Sequence, residues 1–303
     1  NAEDKVSMSC RQVAENILAP VTARPLLARQ YLDKLMAAQP DEATLLRLRD
    51  KHDPAIFLRL ADLEYLQPNS VRLLERMNAA FRKAASDPVR VDRLIDDLQG
   101  SPAQRDVAVL QLRAGGALVV PRLVNRIREL NMPGQQELLQ YVLVRLGKVV
   151  IPPLIAVLEN EDPNLRATVI QVLGRVGDRS VAAHLWYYAA ADGQAPGVHV
   201  AAREALARLV FGDVRRADRL DRSTVIAELV RESERHLSGH VTWKTGSDGK
   251  VRLWQYDSGS EKQLSEVVVA PNEATLYLGS RFAQQTVTLS PRNRTAQALF
   301  LSL

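Results

Sequence analysis

The chain is poor in cysteine, in aromatic residues and in lysine. Its single cysteine, Cys10, excludes an intrachain disulfide framework and a cysteine-built zinc site. With no histidine near it in sequence, Cys10 reads as an inert packed thiol rather than a nucleophile. Exported proteins are also often cysteine-poor, so one cysteine leaves the compartment open. Aromatic residues make up 5% of 303, and alanine, leucine, valine and arginine dominate, a composition that leans towards helix. No apolar run approaches the roughly 18–20 residues of a membrane span. The longest, Val149 to Leu158, is interrupted by Pro152 and Pro153. Only eight of the 40 basic residues are lysine, and the net charge is +5. Acidic residues are interleaved with the basic ones almost throughout, so a mixed-charge solvated surface is expected.

Catalytic and nucleotide motifs are missing as well. There is no H-E-x-x-H, no G-x-G-x-x-G and no G-x-S-x-G, and a phosphate loop ending at Gly249-Lys250 would need glycine where Lys244 stands. His236 and His240 are four apart, but Gly239 is expected to end their helix between them, which counts against a metal pair. Neighbouring carboxylates such as Asp96/Asp97 and Glu159/Glu161 occur on any helical surface and carry no catalytic weight. No metal and no cofactor is therefore expected. At the ends, Asn1-Ala2 reads as a tag scar and the apolar "ALFLSL" from Ala298 to Leu303 reads as mid-element, so a longer parent protein is expected.

What the chain does have is an internal repeat. Aligning Pro102, Pro133 and Pro163 brings Leu112, Leu143 and Leu173 together ten residues on, and Gly116, Gly147 and Gly177 four residues later. Pro121 and Pro152 then coincide, with Ala182 in the third copy, and a weaker fourth copy starts at Pro196. Each feature has a mechanical reason. Ser101 and Asp162 are placed to cap a helix whose first position is the following proline. Apolar residues recur at helical spacing in Val107, Leu110 and Leu112, and in Val169, Val172, Leu173 and Val176. The glycine then ends the helix in a left-handed turn, and a second, shorter helix follows. One such hairpin cannot bury its own apolar face, so the units stack.

The P-x-x-R starts at Pro102–Arg105 and Pro163–Arg166, the glycine, and "VVPRLVNRI" or "VIPPLIAVL" after it resemble HEAT repeats of the armadillo-type superfamily, over about Gly100 to Gly212. That resemblance implies a mainly α fold, a HEAT/ARM-like right-handed α-solenoid whose second helices line a concave face, and a role as a scaffold for protein partners. Around it, residues 3–99 are expected as an irregular helical region punctuated at Pro20, Pro40-Asp41, Asp53-Pro54, Pro68-Asn69 and Asp87-Pro88, capping the array and continuous with it. The repeats and following helices run over 100–236. Arg215, Arg219 and Arg222 would share one helix face there, with Asp218 and Asp221 between them.

Residues 237–270 read as a small β insert, an antiparallel β-hairpin or a three-stranded sheet near 240–269. "HVTWK" (240–244) and "KVRLWQY" (250–256) flank Gly246 to Gly249, a hairpin signal, and "LSEVVVA" (264–270) offers a third strand. The phrase resembles one propeller blade but occurs once, and a propeller needs at least about four. Trp243, Trp254 and Tyr256 must then pack on helices or on a partner. Residues 271–303 return to helix, and "LSPRN" between two helical stretches is similar to the start of a tetratricopeptide-type repeat.

One stretch departs from the repeat. In "HLWYYAAAD", His184 and Tyr188 replace the core leucines and isoleucine of the other copies, whereas Trp186 replaces Asn125 and Ala156, a column that is not evidently core. Trp186, Tyr187, Arg122, Asn125 and Arg126 are therefore candidates for an aromatic-basic patch on the concave face. A protein partner is the leading expectation. Nucleic acid held through Arg122 and Arg126 is the alternative, and an enzyme site near the insert using His236, His240 or Asp257 ranks third.

Overall fold

The computed structural model describes residues 25–130, 133–246, 248–260 and 263–302. Cys10, Pro20 and the first part of the N-terminal region lie outside them. The chain divides into two units, between Arg90 and Val91.

In the first unit, helices α1 (Pro25–Ala37), α2 (Glu42–Lys51), α3 (Pro54–Asp62) and α4 (Asn69–Ala85) follow the amphipathic stretches. Asp41 caps α2 by accepting from the Thr44 amide at 2.9 Å, and Asp53 caps α3 through the Ala55 amide at 2.9 Å. Helices α1, α2 and α3 all pack on α4. Leu32, Leu35, Leu45, Phe57, Leu73 and Met77 form the core of this unit.

Helix α5 (Pro88–Asp97) leads into the second unit, and its Val91, Leu94 and Ile95 join the core of the repeats. Four helix hairpins follow: α6 (Pro102–Gly115) with α7 (Val120–Glu129), α8 (Pro133–Leu146) with α9 (Ile151–Val157), α10 (Pro163–Val176) with α11 (Ala182–Ala190), and α12 (Pro196–Phe211) with α13 (Arg222–Leu237). First helices stack on first helices, α6 on α8, α8 on α10 and α10 on α12. Ser101 makes the full capping box with Gln104 at the start of α6, and Asp162 accepts from the Asn164 amide at the start of α10. Gly116, Gly147, Gly177 and Gly212 take φ of 60°, 75°, 79° and 71°, a region closed to most residues with a Cβ, which is why glycine recurs where each first helix ends. In the two hairpins that open with P-x-x-R, the arginine ties the first helix to the element before it. Arg105 donates from Nε to the Leu98 carbonyl at 2.9 Å, and Arg166 donates to the Leu158 carbonyl at 3.2 Å.

Two stretches, Pro102–Glu129 and Gly134–Val157, have the length and hydropathy of a membrane span, with 39% and 50% of their windows buried. Each is a repeat hairpin, bent at Gly116 or Gly147.

Three expectations are corrected. Val107 and Leu110 are exposed, and α6 buries Ala108, Leu112 and Gly115 instead, because α6 opens the stack and meets a neighbouring first helix on one side only. Arg215, Arg219 and Arg222 do not share a helix face. A 3-10 stretch covers Val214–Arg219, and Asp221 then caps α13 by accepting from the Thr224 amide at 2.7 Å, which breaks the run. The small antiparallel insert is present, with two strands among the described residues, β1 (Val251–Tyr256) and β2 (Leu264–Val269), Val251 opposite Val269 and Tyr256 opposite Leu264, so what is corrected is the pairing of 240–244 with 250–256. The Asp248-Gly249 turn precedes β1 and makes an isolated bridge, Thr245 to Val251, rather than a hairpin, because Trp243 leaves the ladder to pack on helices.

Beyond the sheet come α14 (Pro271–Leu289) and α15 (Arg294–Ser302), two helices packed on each other across the "SPRN" turn. This C-terminal segment roofs the second helices. The strands pack on α9, α14 packs on α11 and α13, and α15 packs on α13.

Candidate functional site

The second-helix layer carries the residues singled out in the sequence, and it separates them into distinct places. Arg122 and Arg126 stand one turn apart on α7, facing Asp92 and Asp96, one turn apart on α5. Arg122 donates from Nε to Asp92 at 2.6 Å and from Nη1 to Glu129 at 2.9 Å. Arg126 lies 3.5 Å from both Asp96 and Glu129. The hydrogen bond to Asp92 raises the Arg122 pKa above its ordinary value, with Glu129 adding to it against the effect of burial. The two arginines are therefore part of a carboxylate ladder with its charge locally compensated. Asn125 lies between them, half-buried.

Trp186 is not a surface anchor. It is 5% exposed and belongs to the core, because α14 covers α11 and turns this column inward. The same cover gives the stretch around it its character. His184 and His236 flank Phe282 of α14, each with ring centroids 5.3 Å from it. Trp243 donates from Nε1 to the Thr275 hydroxyl at 2.8 Å and stands edge-on to His236. His184, His236, Phe282 and Trp243, with Trp186, line a cleft of about 610 Å³ bounded by α11, α12, α13 and α14. Burial, reinforced by Arg281 and His236, pushes the His184 pKa down to about 3; the His236 imidazole is lowered by burial against the opposing pull of Glu232. His236 Nδ1 lies 2.8 Å from the Glu232 carbonyl, while His240 follows the positive-φ Gly239 and contacts Ser238. No group of three metal-ligating side chains occurs among the described residues.

On the other side of α11 is a second cleft of about 770 Å³, lined in part by Tyr187, Tyr188, Glu159, Tyr277 and Arg281. Glu159 accepts from the Tyr277 hydroxyl at 2.8 Å, and Arg281 Nη1 lies 2.9 Å from its carboxylate as an ion pair. Burial and the Glu159 charge push the Tyr277 phenol up to about 12, so it stays a donor. Tyr188 donates to the Leu158 carbonyl at 2.9 Å, which links adjacent repeats. Arg122, Asn125 and Arg126 line neither cleft, so the aromatic and basic halves of the expected patch are in separate places.

The insert residues pack on helices. Tyr256 accepts a hydrogen bond from the Asn160 side chain at the end of the second repeat, and Trp254 and Tyr256 lie against the core. Trp254 lines neither cleft. The Phe282 cluster and the Tyr277–Glu159–Arg281 network were missed in the sequence. Their one signal was the i, i+4 spacing of Tyr277 and Arg281 and, with Phe282, their place on one amphipathic helix.

The stacked hairpins, their glycine ends and the arginine ties of the P-x-x-R starts agree with the comparison to known families. Residues 135–224 match the family model for HEAT repeats. The chain thus contains HEAT repeats over this stretch. No curated protein and no solved structure matches it. HEAT repeats generally serve as protein-interaction scaffolds, and the family is typically non-enzymatic.

Proposed function

We propose that this HEAT-repeat protein is a non-enzymatic scaffold that receives a protein partner on its second-helix layer, at α7. The observation that carries the reading is the occupancy of that layer. Helices α9, α11 and α13 already receive a β-hairpin and a helix from the chain's own C-terminal segment, so the layer is built to bind strand and helix surfaces. Helix α7 meets the hairpin through Arg128 and Gln263 and leaves Arg122, Asn125 and Arg126 partly exposed. With Asp92, Asp96 and Glu129 beside them, these residues suit a partner of mixed charge that extends the existing row of contacts.

A photo-crosslinking residue at Asn125, with exposed Val200 as the control position, tests this in extracts of the native cells. Adducts are expected from Asn125 and are expected to vanish when Arg122 and Arg126 are both changed to Glu. Adducts from Val200 alone, or adducts indifferent to the double reversal, overturn the reading. The nucleic-acid alternative requires tight duplex binding that weakens steeply between roughly 50 and 200 mM salt. The carboxylate partners of Arg122 and Arg126 argue for weak binding and a shallow slope, and fluorescence anisotropy separates the two.

A further inference from the structure

We propose that the cleft between α11, α13 and α14 is a binding site for an uncharged aromatic small molecule with one polar group, of the indole or phenol class. The proposal is independent of the partner surface on α7.

The cleft has the volume and walls of a ligand pocket. At about 610 Å³ it falls in the range typical of small-molecule sites, which are apolar and aromatic with few polar groups. Trp186, Trp243, Phe282 and Val241 supply flat apolar wall. Ser180, Thr224, His236 and the charged side chains of α13 also line the cleft, and among its polar residues His184 is the one with a buried side-chain nitrogen left unpartnered. The residue is half-buried, it lines the cleft, and its Nδ1 is buried with no hydrogen-bond partner. Buried polar atoms in folded proteins are nearly always satisfied, so the imidazole lacks one partner that a bound molecule can supply. An uncharged imidazole carries one N–H and one lone pair, so it serves a ligand hydroxyl or ring N–H equally.

The charges around the cleft select against ions. Arg231 pairs with Glu228 and Arg235 with Glu232, each at i, i+3 along α13, and Arg179 donates to the Leu209 and Val210 carbonyls. Each arginine thus has a partner within the protein, which leaves a carboxylate or phosphate ligand without a dedicated cation. An aromatic ring offers its face to Trp and Phe and its polar edge to His184, at little conformational cost.

Titration calorimetry of the whole chain with indole, p-cresol and benzoate at pH 7 is the test, with long-range ¹⁵N–¹H spectra of the histidine rings read in parallel. Saturable binding of indole and p-cresol is expected, at least tenfold tighter than benzoate, with the His184 ring resonances moving and those of His52 unmoved. His184→Phe is expected to weaken p-cresol binding about tenfold while leaving the melting temperature equal or higher, since it replaces an unsatisfied polar ring with an apolar one of similar shape. No saturable binding up to millimolar ligand overturns the proposal, as does benzoate binding as tightly as indole. If the variant fails to fold, unmoved His184 resonances in the saturated wild-type protein overturn it alone.

Discussion

At the scale of single residues, the strongest departure from ordinary behaviour is His184. Folded, its pKa is held at about 3, whereas the same imidazole in an unfolded chain titrates near 6.5. Below that unfolded value the unfolded chain binds a proton that the folded protein refuses. Stability is therefore full above about pH 7 and falls as the pH drops from 6.5 towards 3. The slope approaches about 1.4 kcal/mol per pH unit for each histidine fully caught in this way. His236 is lowered in the same sense and adds to the loss. Urea unfolding midpoints at pH 7, 5.5 and 4.5 are expected to fall in that order, and the fall is expected to be shallower in His184→Phe. An equally steep profile in the variant would place the acid sensitivity elsewhere. The sequence aligned His184 with the leucines of a core column, but that column could not show that α14 would bring Phe282 and Arg281 against it.

At the scale of elements, the repeats are where sequence and structure agree best, because their signals are local. A capping serine, a proline at the first position and a positive-φ glycine each act within one turn of where they stand. Even so, the alignment missed one contact that decides how closely two first helices approach. A Cβ added at Gly174 in α10 would lie 2.6 Å from the Ala205 Cβ and 2.9 Å from its Cα in α12. Alanine is the better helix former by about 1 kcal/mol, yet Gly174→Ala is expected to destabilise the protein by about 1–3 kcal/mol through overpacking. Chemical denaturation of the single variant and of Gly174→Ala with Ala205→Gly checks this. The second substitution is expected to recover part of the loss, and a single variant at least as stable as wild type would show that the two helices part freely. The β insert was less legible. The Asp-Gly turn and two strand-like runs were correctly seen, but pairing is non-local, and the ladder formed with 264–269 rather than with 240–244 because Trp243 has a better place against Thr275 and His236.

At the scale of the second unit, an array of four hairpins is expected to expose its second-helix layer, and here that layer is largely roofed. This arrangement depends on contacts more than a hundred residues apart in sequence, such as Tyr277 with Glu159, and no periodicity encodes them. It also explains why Trp186 looked like a surface anchor and is a core residue. The roof is therefore expected to be part of the fold and not an accessory laid over a finished solenoid. Ending the chain after Gly239 would strip β1, β2, α14 and α15 and uncover Leu185, Trp186, Tyr188 and Leu154 together, all at most 5% exposed in the intact protein. Because stability in repeat arrays is a sum of unit and neighbour terms, α6 to α12 should keep their helical circular dichroism per residue. The melting temperature is expected to fall by several degrees or more, and a hydrophobic dye such as ANS should bind the truncated chain and not the full one. The full-length chain with Tyr277→Phe and Glu159→Gln, which removes the ion pair and the phenol hydrogen bond but keeps the helix, is expected to show a smaller fall in melting temperature and little dye binding. A truncated chain that melts with the full one and stays dark to the dye would mean that the second helices are self-sufficient, and that the C-terminal segment is a detachable ligand of the array.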